Sequence, residues 1–251
     1  MERNLYTHRS EILDREMHIL VHGHTGVPLI AFPCQDGMCD NWESFHMQET
    51  LDDFIEEGEI QLFSVDTIDK ESWSDIYGNK EHRAYMQEQY YRYIVEEALP
   101  LIREINGTDE LPIVTGFSLG ATHAAILFFR RPDLFAGVLG CSGCYDAPHF
   151  WGEWCNSTLY DNSPVHFLAN MPKDHPYIDL YNSRRIAVCV GQGNWEREGI
   201  RTSAILRDIF AEKGIDGWVD FWGYDVDHDW PWWRKQIRYF LPWLLGEDEI
   251  A

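Results

Sequence analysis

The stretch Thr115-Gly116-Phe117-Ser118-Leu119-Gly120-Ala121 decides the fold of this chain. A short apolar run at 111–114 precedes it and predicts a buried strand. A run of small and apolar residues at 121–129 follows it and predicts a helix. Between them, Gly-x-Ser-x-Gly is the pattern of a nucleophile elbow, a strained turn that presents the Ser118 hydroxyl at the end of a strand. The two glycines of this pattern remove side chains that would otherwise collide where strand and helix fold back on each other.

Strands and helices alternate along the rest of the chain. Strands are predicted near 10–23 (one or two) and at 28–32, 60–65, 111–114, 135–139, 186–190 and 218–222, and helices at 42–57, 83–105, 121–129, 200–213 and 231–245. This alternation predicts an α/β fold with a mostly parallel central sheet and helices on both faces. The chain has 251 residues, 45% of them hydrophobic, so we expect a single domain over 1–251.

Composition and charge argue against several roles. The chain has 42 acidic and 20 basic residues and a net charge of −22, which repels nucleic-acid phosphates and anionic lipid. We therefore expect neither nucleic acid nor membrane as a partner. Residues 1–15 lack the apolar segment of a signal peptide, and no apolar run reaches the length of a membrane span. Six cysteines then fit reduced thiols in the cytoplasm, and homo-oligomer formation stays open.

A serine hydroxyl is a weak nucleophile at neutral pH, so Ser118 needs a base, and His228 is the best placed of eleven histidines. It lies between the last predicted strand and the last predicted helix, where the order Ser…Asp/Glu…His places the base. The carboxylate should follow the strand 186–190, where the loop offers Glu196 and Glu198. We favour Glu196 because it is nearer the strand end, whereas Glu198 fits the acidic first turn of the next helix.

Acyl transfer also needs N–H groups that stabilise the negative charge on the carbonyl oxygen. One is expected from Leu119, directly after the nucleophile. The second should come from the loop at 33–37, where proline at position 33 has no N–H. Cys34 and Gln35 are the candidates, and we favour Gln35.

Two patterns resemble metal sites but lack required ligands. Cys141 and Cys144 form a C-x-x-C with no second pair at zinc spacing. The acidic residues at 225–229 lack the glycine and glutamate that complete a calcium loop. We therefore expect no metal and no cofactor.

The segment at about 144–185 interrupts the alternation and is rich in aromatic residues. Long loop-rich segments of this kind often form lids or binding loops. The alternative is an insertion whose aromatic side chains pack against the body of the domain. The sequence leaves both interpretations open.

Several motifs, spread over nearly the whole chain, match one protein family. They are Gly23-His24-Thr25-Gly26-Val27-Pro28, Val65-Asp66-Thr67-Ile68-Asp69 with Ser72-Trp73, Tyr90-x-x-Tyr93, the elbow, Ser142-Gly143-Cys144-Tyr145-Asp146 and His228-Asp229-Trp230-Pro231-Trp232-Trp233. With them the chain resembles the esterase D-like esterases of the α/β-hydrolase superfamily, relatives of S-formylglutathione hydrolase, feruloyl esterases and mycolyltransferases. The resemblance implies the α/β-hydrolase fold, Ser118 as nucleophile and His228 as base. Many relatives carry Asp about where Asn194 stands, so either Glu196 takes over or the triad is weakened.

These observations favour a serine esterase that cleaves a small-molecule carboxylic ester through an acyl-enzyme intermediate, with Ser118, His228 and Glu196 as catalytic residues. An acyltransferase of the same fold, in which an alcohol replaces water, is a close alternative. A catalytically weakened binding protein is the third hypothesis, suggested by Asn194.

Overall fold

The computed structural model describes residues 1–247, so positions 248–251 of the expected domain lie outside the described residues. Within residues 1–247 the strands are β1 (Arg3–Ser10), β2 (Arg15–His22), β3 (Val27–Phe32), β4 (Ile60–Val65), β5 (Ile113–Phe117), β6 (Gly137–Cys141), β7 (Arg185–Val190) and β8 (Trp218–Phe221). They form one sheet in the order β1-β2-β4-β3-β5-β6-β7-β8. Strand β2 is antiparallel to β1 and β4, and the other neighbouring strands are parallel. This confirms the mostly parallel sheet.

Helices connect the strands. They are α1 (Asn41–Ser44), α2 (Met47–Thr50), α3 (Asp52–Glu56), α4 (Lys80–Tyr93), α5 (Leu99–Asn106), α6 (Leu119–Arg130), α7 (Pro148–Trp151), α8 (Ser157–Asp161), α9 (Pro164–Asn170), α10 (Pro176–Asn182), α11 (Arg197–Lys213) and α12 (Trp230–Leu244). Among residues 1–247, none of these helices combines the length and apolar character needed to cross a bilayer.

Alternate residues of the buried strands face two separate cores. In β3, Ile30 and Phe32 pack into a cluster with residues of α4, α5, α6 and α11. Leu29 and Ala31 point the other way, into a cluster with residues of α2, α3 and α12. Both faces of the sheet are therefore covered, which explains why the central strands are apolar throughout rather than alternating.

The helix predicted over 42–57 is divided in the structure into α1, α2 and α3. Trp42, Met47, Leu51 and Ile55 are all buried against the sheet. The interval between Trp42 and Met47 is five residues, longer than one helical turn. His46, with φ of 60°, adopts the left-handed conformation at this break, which turns the chain so that both side chains face inward.

Two other parts of the sequence prediction were incomplete. Strand β1 begins at Arg3, well before the predicted region 10–23, because it is an exposed edge strand with no apolar alternation. The segment 144–185, expected to be loop-rich, contains the four short helices α7, α8, α9 and α10. The helix predicted over 83–105 consists of α4 and α5 joined by a π-helical segment at Ile94–Ala98. The remaining predicted strands and helices agree with the structure to within a few residues.

The six parallel strands, β3 to β8, end at the same edge of the sheet. Position 35 follows β3, Ser118 follows β5, Ser142 follows β6, Glu196 follows β7 and His228 follows β8. The carboxyl ends of parallel strands are where α/β folds form their binding crevices.

Candidate active site

Ser118 occupies a strained turn between β5 and α6, with φ of 55° and ψ of −126°. The turn is tight because a Cβ on Gly116 would lie 2.3 Å from the carbonyl carbon of Gly120. A Cβ on Gly120 would lie 2.5 Å from the carbonyl oxygen of Phe32 in the neighbouring strand. Both glycines are therefore required sterically, Gly116 where strand and helix fold back on each other, as the pattern predicts, and Gly120 where the helix approaches the neighbouring strand β3.

The loop after β8 brings His228 to the serine. His228 Nε2 lies 2.8 Å from Ser118 Oγ, and His228 Nδ1 lies 3.1 Å from Glu196 Oε2. The backbone N–H of His228 donates to the carbonyl oxygen of Asn194 at 3.0 Å. The backbone N–H of Asn194 donates to Oδ1 of Asp227 at 2.6 Å, so the loops after β7 and β8 hold each other in place.

Glu196 is the carboxylate that contacts His228, and its side chain is fully buried. Its other oxygen, Oε1, accepts a hydrogen bond from Ser142 Oγ at 2.6 Å. The indole N–H of Trp233 in α12 donates to the same Ser142 oxygen at 3.0 Å. Glu198, the alternative acid, instead accepts from Nε of Arg201 at 2.8 Å.

The loop after β3 is fixed on both sides of Gln35. The N–H of Cys34 donates to Asn41 Oδ1 at 3.0 Å, and the N–H of Asp36 donates to Asp69 Oδ2 at 3.1 Å. No acceptor within residues 1–247 takes the N–H of Gln35 or of Leu119. Because the Cys34 N–H is already used, Gln35 is the better candidate of the two for binding an oxyanion.

Asp69 is itself held by a buried partner. Its Oδ1 lies 2.8 Å from Nε2 of His123 in α6, and both side chains are 1% exposed. The helix that begins at Leu119 is thereby linked to the loop that contains Gln35. The segments that carry the two candidate oxyanion donors are thus joined by hydrogen bonds through Asp69.

A pocket of about 590 Å³ opens over Ser118 and His228, with Gln35 and Leu119 also in its wall. Phe150 and His149 of α7 contribute to it, so part of the 144–185 segment does border the site. Other aromatic residues of that segment pack into the body: Tyr145 and Trp151 are buried. Trp154 lines a separate, mainly apolar pocket.

Three side chains at the pocket are potential metal ligands. Donor atoms of Cys144, His149 and Glu198 lie within 4.8 Å of one another. However, Glu198 accepts a hydrogen bond from the Arg201 guanidinium, and the positive charge of that group would repel a metal cation. Burial and the neighbouring Asp146 carboxylate also raise the pKa of the Cys144 thiol to about 12, which opposes the thiolate form that metals bind. Both features disfavour a metal ion here.

Residues 10–244 match the sequence model of the family described as "Putative esterase". The chain belongs to this putative esterase family. That confirms the family resemblance found in the motifs. No curated protein matches the sequence.

Solved structures show the α/β-hydrolase fold for this member of the putative esterase family. A ferulic acid esterase has 18% sequence identity and a TM-score of 0.75, with 97% of each chain covered. MPT51 from Mycobacterium tuberculosis has 14% identity and a TM-score of 0.76, with 98% of each chain covered. S-formylglutathione hydrolase from Agrobacterium tumefaciens has 15% identity and a TM-score of 0.70, with 100% of this chain and 99% of that chain covered.

Sequence reasoning assigned no role to several residues that support the site of this putative esterase family member. Ser142, Trp233 and Asp69 all lie within motifs that carry the family resemblance, but no spacing rule connects them to the serine. The structure itself distinguishes Ser142, which has φ of 57° and thus forms a second strained turn. Strained backbone of this kind concentrates at functional sites.

Proposed function

We propose that this protein is a serine esterase that hydrolyses small-molecule carboxylic esters. The observation that carries the proposal is the continuous contact from Ser118 Oγ through both ring nitrogens of His228 to the buried Glu196 carboxylate. This is the arrangement that activates a serine hydroxyl for nucleophilic attack. Membership of the putative esterase family supports the same reaction class.

In the first half of the reaction, Ser118 Oγ forms a bond to the ester carbonyl carbon and His228 Nε2 takes its proton. Glu196 accepts from Nδ1 and stabilises the imidazolium that results. The intermediate collapses as the C–O bond to the alcohol breaks, and His228 returns its proton to the alcohol oxygen. An acyl group then remains on Ser118.

Water completes the cycle by the same route. His228 Nε2 removes a proton from water as the water oxygen bonds to the acyl carbon. The bond from that carbon to Ser118 Oγ then breaks, His228 returns its proton to Oγ, and the carboxylic acid is released. In both halves, the N–H groups of Leu119 and Gln35 stabilise the oxyanion. Such preorganised donors contribute several kcal/mol, about 2.7–4 for one donor in measured cases.

The contact between Glu196 and His228 favours the esterase hypothesis over the binding-protein hypothesis. Asn194 contacts His228 through its backbone carbonyl, whereas the negative charge beside the imidazole comes from Glu196. His228 therefore has a carboxylate partner even though position 194 is an asparagine. Transfer to an alcohol would use the same groups, and added alcohol acceptors would reveal it as a new ester product.

The test is labelling with a fluorophosphonate probe followed by an ester panel. Intact mass spectrometry should show one adduct on wild-type protein and none on Ser118→Ala, with ester hydrolysis lost in parallel. Ser157→Ala, which removes an exposed hydroxyl on α8, is the matched control and should label normally. Folded protein that forms no adduct would contradict the proposal.

A further inference from the structure

Trp195 occupies an unusual position beside the candidate active site. It lies in the loop between β7 and α11 and lines the same pocket as Ser118 and His228. Its side chain is 90% exposed. Within residues 1–247 the indole makes no hydrogen bond and stacks on no other ring. The packing of the folded chain therefore does not account for a tryptophan here.

The backbone at this position adds a second cost. Trp195 has φ of 66°, in the left-handed region that favours Gly, Asn or Asp and disfavours bulky residues. Asparagine or glycine at this position would relieve both the strain and the exposure of an apolar surface. Strain at a pocket wall is a reason to look for a functional role.

The residues next to Trp195 in the sequence place it on the side of the pocket where His228 lies. It stands between Asn194, whose carbonyl oxygen holds the His228 N–H, and Glu196, which contacts the His228 ring. In the proposed mechanism His228 gives its proton to the oxygen of the departing alcohol. The alcohol portion of the ester must therefore lie on the His228 side of the pocket.

We propose that Trp195 is a stacking platform for an aromatic ring in the alcohol portion of the substrate. This inference rests on the proposed esterase function and adds a substrate class to it: esters of alcohols that carry a flat ring close to the ester oxygen. An exposed indole offers its face to such a ring, and offset stacking between aromatic rings is favourable.

Two isomeric esters test which side of the ester bond the ring occupies. Benzyl acetate carries its ring on the alcohol, and methyl phenylacetate carries it on the acyl group, while hexyl acetate has no ring. Trp195→Asn should lower kcat/KM for benzyl acetate by about threefold to tenfold, through KM, and change the other two by less than twofold. Trp195→Phe should restore most of the loss.

The same comparison is made by equilibrium binding to Ser118→Ala protein, so it does not depend on turnover. In the Ser118→Ala background, adding Trp195→Asn should raise the Kd for benzyl acetate and leave the Kd values of the other two esters unchanged. The melting temperature of Trp195→Asn should be unchanged or higher, because asparagine tolerates the left-handed backbone. Tyr224→Asn, which removes an exposed ring outside the pocket, is the control and should have no effect.

Three outcomes would overturn the inference. A larger loss for methyl phenylacetate would assign the ring to the acyl side. An equal loss for all three esters with a lower melting temperature would mean that Trp195 is structural. Unchanged binding of benzyl acetate would show that Trp195 is not a stacking platform. Absence of hydrolysis by wild-type protein, with selective binding intact, would instead count against the esterase proposal alone.

Discussion

The Ser142 hydroxyl donates a hydrogen bond to Glu196, with 2.6 Å between Ser142 Oγ and Glu196 Oε1. The direction is fixed by Trp233, because an indole N–H is a donor only and occupies a lone pair of the same hydroxyl at 3.0 Å. The single hydroxyl proton is thereby left for the carboxylate. One oxygen of Glu196 is held in this way, and the other faces His228. The orientation of the acid thus depends on a residue outside the Ser-His-Glu series.

Removing the charge of Glu196 should nearly abolish turnover. We expect Glu196→Gln to lower kcat by about 10³–10⁴, as loss of a triad carboxylate does in other serine hydrolases, because the imidazolium loses its stabilising charge. Glu198→Gln, the matched control two residues along, should change kcat by less than about threefold. Steady-state kinetics with an activated ester measures both. The reverse pattern would assign the acid to Glu198.

Ser142→Ala should act mainly on kcat. It leaves the Trp233 N–H and Glu196 Oε1 without a partner in a buried site, which should cost about 1–3 kcal/mol of stability. We expect a fall in kcat of about tenfold with KM nearly unchanged, because the substrate pocket is intact while the acid is free to rotate. Trp233→Phe keeps the ring stacked on Phe117 and should show a smaller fall in kcat. A change confined to KM would contradict this positioning role.

A pair of substitutions at one position tests the oxyanion donor. The proposal uses the backbone N–H of Gln35, while its side chain donates to Ser74 Oγ at 2.9 Å. Gln35→Ala should therefore keep kcat within about threefold. Gln35→Pro removes the N–H and should lower kcat by about 10²–10³. Circular dichroism melts check that both variants fold, and equal kcat values for the two would show that this N–H is not used.

The stability of the protein should depend on His22 below neutral pH. Burial lowers the pKa of His22 below the ordinary histidine value, against a weaker opposite effect of the nearby Glu43 carboxylate. The unfolded chain therefore binds a proton near pH ~6.5 that the folded protein resists. As the pH falls below that value, the free energy of unfolding should decrease.

Urea unfolding at several pH values measures this effect against His22→Gln. Between the folded and unfolded pKa values, the variant should lose less stability, by up to about 1.4 kcal/mol per pH unit. Above pH ~7.5 the difference between the two proteins should be independent of pH. Parallel slopes at all pH values would show that His22 protonates equally in both states.

The parts of the fold that the sequence predicted are those set by local patterns. The β4 strand was predicted with its observed bounds, 60–65, because it is a short, mainly apolar segment between Glu59 and Asp66. The helix at 42–57 was wrong as a single helix, because its break at His46 serves the burial of Trp42 and Met47 against the sheet. That requirement comes from packing rather than from local propensity.

The same division holds for the candidate site. The elbow is largely local, since a side chain on Gly116 would collide with Gly120 within the same five residues, whereas Gly120 itself is required by the neighbouring strand β3. The order of strands and loops was enough to choose His228 and to prefer Glu196, and the structure brings all three side chains within hydrogen-bonding distance.

Tertiary structure alone decided the rest. The Trp233–Ser142 and Ser142–Glu196 contacts join residues 91 and 54 positions apart, and the His123–Asp69 contact also spans 54. No periodicity in a sequence encodes a hydrogen bond over such distances, because it depends on which strands are neighbours in the sheet and how their loops cross. The sequence by itself determined a serine on a sharp turn in an α/β sheet. The packing of the loops that follow the six parallel strands determined which side chains orient it.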